Sequence, residues 1–543
     1  MSELSRRGFL GGTAALGLVS IGSATPADAA GAAGCPPPAG LVTVVPGDPR
    51  YEDLVLRRIN QRFKARPAAF RLVHSTEQVV RAVSDAVLSR QRIGLRSGGH
   101  CYENFTGDPA PGVVIDLSGM DAVYFDSARR AFVVEAGATL SEVYQRLYLG
   151  WGVTLPAGDC GSVGAGGHVQ GGGYGPLSRL HGTVVDHLYA VEVVVARKPG
   201  QVTAVVATRE PDDPHRELWW AHTGGGGGNF GVVTRYWFRT PGADGGDPRT
   251  LLPKPPATVL KGFQQWSWEG LNRESFGKLI RNHGAWHERH SAPGSAYASL
   301  VSLLSINKGP GPHAFPGDLF LAAQMDGTPP GAAKMLNDYF AAVSDGVGGR
   351  PGITPVAIPW LASATADGQS TAGSAGRWKG KSAYLRRTFT EQQIDTAYRK
   401  LSTADPAIGP AMLWLGAYGG AVNAVDPAAT ALPQRDSIFK AIYSVTLPEP
   451  SSSAGDATNL DWLRGFYREM YADTGGVPVP GEVNDGAYIN YPDVDLADPE
   501  HNTSGVPWYT LYYKENYPRL RRVKSTWDPG NVFRHPLSVQ PDR

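Results

Sequence analysis

The chain is poor in cysteine: Cys35, Cys101 and Cys160 are the three it has in 543 residues. In an exported protein an odd number leaves at least one thiol unpaired. The spacing gives no support to a Cys35–Cys101 disulfide, and Cys101 reads as a small buried residue. A surplus of charge is also missing. The chain carries 51 basic and 50 acidic residues, a formal net charge of +1, with no long run of either sign. That removes the electrostatic ground for binding nucleic acid or an anionic membrane. No segment is apolar over enough residues to span a bilayer, so membrane insertion is not expected. There is no internal repeat and no heptad pattern. His168, His181 and His187 lie near one another in sequence, but their spacing fits no ligand pattern such as H-E-x-x-H, and no metal site is expected.

Against these absences stand an apolar content of 42% and 13 tryptophans, which indicate a folded globular chain. Its length allows two or more domains with sizeable cores. The 68 glycines and 43 prolines are interleaved with apolar residues. They indicate turns and backbone lining a site, not low complexity. At the N-terminus Ser5-Arg6-Arg7-Gly8-Phe9-Leu10 leads into a mild apolar stretch, Gly11 to Ile21, and then Ala27-Asp28-Ala29. Residues 1–29 read as a twin-arginine export signal with an A-x-A cleavage site, so a secreted protein is expected. That route carries proteins already folded, as a cofactor loaded in the cytoplasm requires.

Residues 30–65 form an N-terminal segment that begins with the linker Cys35–Gly40. From 66 to 240 helices and strands alternate. Phe70 to His74 reads as a strand, and Ser75 caps a helix with Gln78 at the capping-box position. Val79, Val80, Val83, Ala86 and Val87 give that helix its apolar face. Ile93–Leu95, Val113–Leu117 and Phe132–Glu135 read as strands, Leu140–Leu147 as a short helix, and Val184–Ala196 as holding a long apolar strand. Thr240–Pro248 is a predicted boundary. Residues 241–480 alternate apolar runs, such as Tyr297–Ile306 and Leu319–Gln324, with amphipathic helices, which suggests an antiparallel sheet backed by helices. Residues 481–543 form a closing segment.

Two glycine-walled loops carry the chemistry. The first is Arg96-Ser97-Gly98-Gly99-His100; the second runs from Pro156 through Cys160, Gly164 and Gly167 to His168. An imidazole and a thiol are the side chains best suited to bond an oxidised flavin ring. Each sits where missing Cβ atoms let backbone N–H groups approach a bulky, anionic cofactor. Alone, His100 reads as a structural histidine and Cys160 as a small buried residue. Their joint setting, with Gly171-Gly172-Gly173-Tyr174-Gly175 just beyond, points to doubly anchored FAD. Gly226–Gly231 formally matches G-x-G-x-x-G, but no strand precedes it and strand-like Val232-Val233-Thr234 follows. The next acids, Asp244 and Asp247, lie in a loop. It reads as a tight turn beside a flat cofactor and not as a Rossmann site. Far downstream, Tyr488–Asp493 supplies a proton acceptor in Tyr491, which could otherwise be a core tyrosine. A free tyrosine has a pKa of about 10. It needs a cation, a donated hydrogen bond or the flavin's field to act as a base near neutral pH.

On these motifs the chain resembles the berberine-bridge-enzyme-like FAD-linked oxidases, within the vanillyl-alcohol-oxidase fold superfamily, over nearly all of its mature length. Its layout is similar to bacterial tailoring oxidases of secondary metabolism. The resemblance implies an α+β fold: a two-part FAD-binding domain of the PCMH type and a central substrate domain with an antiparallel sheet flanked by helices. It implies FAD attached through His100 and Cys160, and Tyr491 of Asn-Tyr-x-Asp as the catalytic tyrosine. Tyr418 is a candidate second tyrosine, with Tyr174 the next to test. The expected cofactor contacts are Arg96, Ser97, Gly98, Gly99, His100, Cys160, Gly164, Gly167, His168, Gly172, Tyr174, Gly228, Val232, Asn490 and Asn531. The ending Tyr517–Lys524 with Asp528–Phe533 resembles the family's closing motif, which returns to the FAD domain. Cys101 departs from the serine that many relatives carry there. The implied reaction oxidises an alcohol, on a sugar or a secondary metabolite, to a carbonyl, with dioxygen reduced to hydrogen peroxide. The alternatives are an oligosaccharide oxidase acting at the anomeric hydroxyl and a secreted flavin-binding protein without oxidase activity.

Overall fold

Three sheets take up the strands in chain order. A computed structural model describes residues 40–107, 110–198, 200–309, 318–348, 354–366 and 376–542. The export signal and Cys35, with its pairing to Cys101, lie outside them. The first sheet holds β1 (Val42–Val44), β2 (Ala69–Leu72), β3 (Ile93–Arg96) and β4 (Val113–Asp116) in the order β1-β2-β4-β3. Strands β2, β4 and β3 run parallel, with the βα connection supplied by the helix Thr76–Leu88. Ser75 caps that helix by accepting the Gln78 N–H. The Gln78 side chain accepts from His74 N–H at 2.8 Å, one residue earlier than the expected capping box. Val79, Ala82, Val83 and Ala86 form the buried stripe, while Val80 and Val87 flank it half-buried. The carboxyl ends of parallel strands are where α/β folds open toward a ligand, and β3 delivers the loop Ser97–His100 there.

The second sheet is antiparallel: β5 (Val123–Asp126), β6 (Ala131–Glu135), β7 (Leu188–Lys198), β8 (Gln201–Thr208) and β9 (Val232–Phe238), ordered β5-β6-β9-β7-β8. The long apolar strand expected within Val184–Ala196 runs from Leu188 to Lys198. Residues Val184–His187 form a 3₁₀ turn, because Thr183 and Asp186 close a capping box around it. The helix after β6 is longer than expected, Leu140–Trp151. It opens on a Thr139/Glu142 capping box and stops at Gly152 with φ +70°, where glycine takes the left-handed cap without strain.

The third sheet is the expected antiparallel one. It holds β10 (Thr258–Trp266), β11 (Val301–Asn307), β12 (Leu319–Asp326), β13 (Val356–Pro359), β14 (Trp378–Leu385), β15 (Ala411–Ala417) and β16 (Phe439–Thr446), ordered β13-β10-β12-β11-β15-β16-β14. Burial alternates residue by residue along β12, as it does in a strand whose two faces meet different surroundings. On β16 Phe439 and Tyr443 face the helices Arg273–His290 and Ser453–Met470. Lys440, between them in the pleat, faces the other way. The closing segment is tied to the loop before β9: the buried Lys524 ammonium donates at 2.6 Å to the Asn229 carbonyl, and within the segment to the Phe533 carbonyl and Asp528. Among the described residues no helix is long and apolar enough to cross a membrane.

Candidate active site

The two glycine loops meet backbone to backbone. A Cβ on Gly98 would fall 2.3 Å from Gly164 N, and one on Gly164 would fall 2.1 Å from Ser97 Oγ and 2.4 Å from Gly98 N. Real Cβ atoms do not approach so closely, so glycine is required at both positions. Ser97 Oγ donates to Ala136 O at 2.7 Å, and Gly99 adopts φ +74°. At the strand end, the Arg96 guanidinium pairs with the buried Asp116 at 2.7 Å and also bonds Leu54 O. It anchors the loop to β4 and the N-terminal segment. This packing brings His100 and Cys160 to one place. Ser162 Oγ lies 3.0 Å from His100 Nε2 and 3.7 Å from Cys160 Sγ. Burial lowers His100 to about 4, so its ring is neutral at physiological pH.

These loops line a cavity of about 890 Å³, and so do residues of the seven-stranded sheet that face them, including Val301, Leu303, Ala322 and Trp414. Where the two walls meet stands Tyr491. Its ring stacks on Tyr102 at 4.6 Å with an 18° interplanar angle. Lys440 Nζ donates to its hydroxyl at 3.4 Å. The same nitrogen lies 4.0 Å from the Tyr174 ring centre and 4.7 Å from those of Tyr488 and Tyr491. Burial pushes the Tyr491 phenol well above its usual value, so phenolate is not its resting state. Burial also pulls Lys440 down to about 7, with Asp159 opposing.

Asp493 lies round the edge strand from Tyr491. Lys379 Nζ bonds Asp493 at 2.7 Å and Glu103 at 2.6 Å; Lys381 Nζ bonds Asp493 at 2.6 Å and Asp495 at 2.8 Å; Arg464 completes the set on Asp495. Three cations face three carboxylates, which balances the buried charge. The network joins the His100 loop, through Glu103, to the Tyr491 segment.

Residues 67–202 match the family described as "FAD binding domain", and residues 487–540 match "Berberine and berberine like". The chain is 52% identical to the aclacinomycin-N/aclacinomycin-A oxidase of Streptomyces galilaeus, over 100% of this chain and 99% of that one. It belongs to the berberine-bridge-like FAD-linked oxidases. It is also 31% identical to the hexose oxidase of Chondrus crispus, over 82% of this chain and 85% of the relative. Among solved structures, a glycopeptide hexose oxidase complexed with teicoplanin is similar at 51% identity and TM-score 0.88, covering 93% of this chain and all of that one. As a member of that family, the chain is a FAD-dependent oxidoreductase.

The cavity suits the family's cofactor. Gly167 lines it, and a Cβ there would meet no atom within 4 Å, so any side chain would occupy cavity space. Gln170 Oε1, also on the lining, is buried with no hydrogen-bond partner among the described residues. Such a group is costly unless a ligand or water satisfies it. The expected cofactor residues Arg96, Ser97, Gly98, Gly99, His100, Cys160, Gly164, Gly167, His168, Tyr174, Gly228, Val232 and Asn490 line this one cavity, together with Tyr491. His168 is held neutral at about 3 by burial and accepts Gly158 N–H at 3.2 Å; its carbonyl accepts from Asn490 Nδ2 at 2.9 Å. Asn490 fits only because Gly171 has no Cβ, which would fall 2.0 Å from Asn490 Oδ1.

Three expected residues lie off the lining. Gly172, at φ +113°, packs against Leu432. Asn531, at φ +48°, sits in the turn after Asp528, its backbone carbonyl accepting from Arg534. Tyr418 is fully buried behind Tyr174, with ring centres 5.1 Å apart and its hydroxyl donated to Gln434 O at 3.3 Å. Tyr174 spends its own hydroxyl on Ala417 O. Sequence reasoning missed Lys440, Tyr102, Ser162 and Gln170. Lys440 did leave a signal, a lone charge inside the apolar run Phe439–Val445. Lys379 and Lys381 left the same signal in β14.

Proposed function

We propose that this protein is an exported oxidase that carries FAD bonded to both His100 and Cys160 and converts a hydroxyl of a sugar, free or borne on a larger metabolite, to a carbonyl. The observation that carries the reading is the Tyr491–Lys440 pair, set in the same cavity as the two prospective anchors. When bound, FAD would supply the hydride acceptor and the electron route to dioxygen, with hydrogen peroxide as the second product. The chain's own residues handle the proton. Tyr491 stays a neutral phenol until a substrate hydroxyl arrives. It then accepts that proton while giving its own to Lys440, whose amine is poised near neutrality. The ammonium so formed sits among three aromatic faces, which favour a cation. Tyr102 fixes the plane of the Tyr491 ring, and Ser382 Oγ, which accepts from Tyr488 N–H at 3.2 Å, fixes its segment.

The hexose in two relatives' names and the teicoplanin complex support a sugar substrate. The hexose oxidase likeness favours a second reading, oxidation at the anomeric hydroxyl of an oligosaccharide. A peroxide-coupled screen of glycosylated metabolites and oligosaccharides decides between them, and silence across the panel would leave a flavin-binding protein without oxidase activity. Acid-precipitated protein should stay yellow, and only the His100→Ala/Cys160→Ala double variant should release all its flavin. Export rests on Arg6-Arg7. Replacing both by lysine should trap folded, yellow enzyme inside the cell.

A further inference from the structure

Ser162 stands between the two side chains that would anchor the cofactor. Its hydroxyl touches His100 Nε2 at 3.0 Å and Cys160 Sγ at 3.7 Å. Backbone packing fixes this placement. The Gly98 position lies so tightly against the second loop that a Cβ there would fall 3.0 Å from the Ser162 carbonyl oxygen. The fold itself therefore assembles both nucleophiles and the hydroxyl. Each attachment must remove one proton from the protein, from the imidazole or from the thiol. A hydroxyl can accept one proton on a lone pair while releasing its own. The neutrality that burial imposes on His100 leaves one ring nitrogen with a hydrogen and the other with a lone pair.

We propose that Ser162 is the shared proton relay of covalent attachment, an inference that rests on the doubly anchored flavin proposed above. With Nε2–H donating to Ser162 Oγ, Nδ1 holds the lone pair and forms the bond to a carbon of the flavin. That carbon gives up one hydrogen, and the Nε2 proton leaves through Ser162 to water. At the second anchor the thiol proton leaves by the same hydroxyl as sulfur bonds a ring carbon, which also gives up a hydrogen. Each attachment exchanges one N–H or S–H and one C–H for one N–C or S–C bond. The two protons and two electrons removed each time reduce one dioxygen to hydrogen peroxide.

Ser162→Thr and Ser162→Val have the same shape and differ in the hydroxyl. Full-length wild type and variants from flavin-starved cells are given FAD. The flavin-bearing peptides around His100 and Cys160 are then counted by mass over time. Positioned proton-transfer groups are typically worth ~10²–10⁴-fold, so the Val variant should attach flavin at least about tenfold more slowly at both peptides. It should still bind FAD reversibly, and the Thr variant should attach it at near the wild-type rate. Ser162→Ala, which adds no bulk, repeats the comparison without crowding and should behave as Val does. Attachment at the wild-type rate in the hydroxyl-free variants would overturn the relay. A wild type with no flavin-bearing peptide at either site would instead overturn the doubly anchored reading, and the relay with it.

Discussion

The wall of the cavity formed by residues 96–175 is made by leaving side chains out. Gly98 against Gly164, Gly171 against Asn490 and Gly175 against the Ala157 carbonyl are contacts in which a Cβ would lie between 1.7 and 2.3 Å from its neighbour. The facing wall, from β14 to β16, is made by putting charge in. Lys440 lines the cavity itself, Lys379 and Lys381 pair with carboxylates behind it, and all three are at most 2% exposed within apolar strands. The first wall holds a rigid, pre-formed surface at little electrostatic cost. The second holds ionisable groups out of water, and there burial pulls the Lys440 amine down to about 7. Shape comes from one side and buried charge from the other, and Tyr491 sits at the join.

Changes at four positions break or sharpen this contrast. Tyr491→Phe keeps the ring and its stacking but removes the hydroxyl. General-base contributions are ~10²–10⁴-fold, so flavin reduction in anaerobic stopped flow should slow by about that factor. Substrate affinity should change far less, and a slowing of only a few-fold would make Tyr491 a packing residue. Lys379→Met leaves Glu103 and Asp493 buried without their shared cation. Breaking such a pair costs about 3–5 kcal/mol, to be read from denaturant unfolding of the holoenzyme. Unchanged stability would mean that the network holds nothing in place.

Gly164→Ala tests the other wall. The added methyl meets backbone at Gly98, and overpacking of this kind costs about 1–3 kcal/mol. FAD retention should fall with it, since the loops must part. Lys440→Met has the smallest expected effect on rate, about tenfold at pH 8 as one pKa-matched proton partner is lost, but it changes the pH profile. Only the neutral amine can accept a proton. With Lys440 near 7, wild-type flavin reduction should rise between pH 6 and 8, and the Met variant should be flat there. A variant that keeps the wild-type rise would move the titrating group elsewhere.

The glycine wall was legible in the sequence because its information is local. A loop that needs backbone contact must spell glycine, and His100 and Cys160 stand inside such runs. The βα unit and the antiparallel sheet were legible from periodicity. The lysine wall was less so. Lys440 pairs in register with Tyr384 on β14 and Gly416 on β15, and no spacing along the chain announces that neighbourhood. Tyr418 shows the same limit from the other side. Its sequence context is apolar and near a turn, yet the Tyr174 ring comes between it and the cavity.

By itself, then, the sequence determined the cofactor class and pointed to His100, Cys160 and Tyr491, which the fold brings to one cavity. Each of these depends on residue types that few other structures require in that order. Only the tertiary structure decided the electrostatics: that the Tyr491 phenol is neutral, that Lys440 is its partner, and that Ser162 touches both His100 and Cys160. Proton affinity depends on burial and on neighbours distant in the chain, and those exist only once the sheets have closed around the cavity.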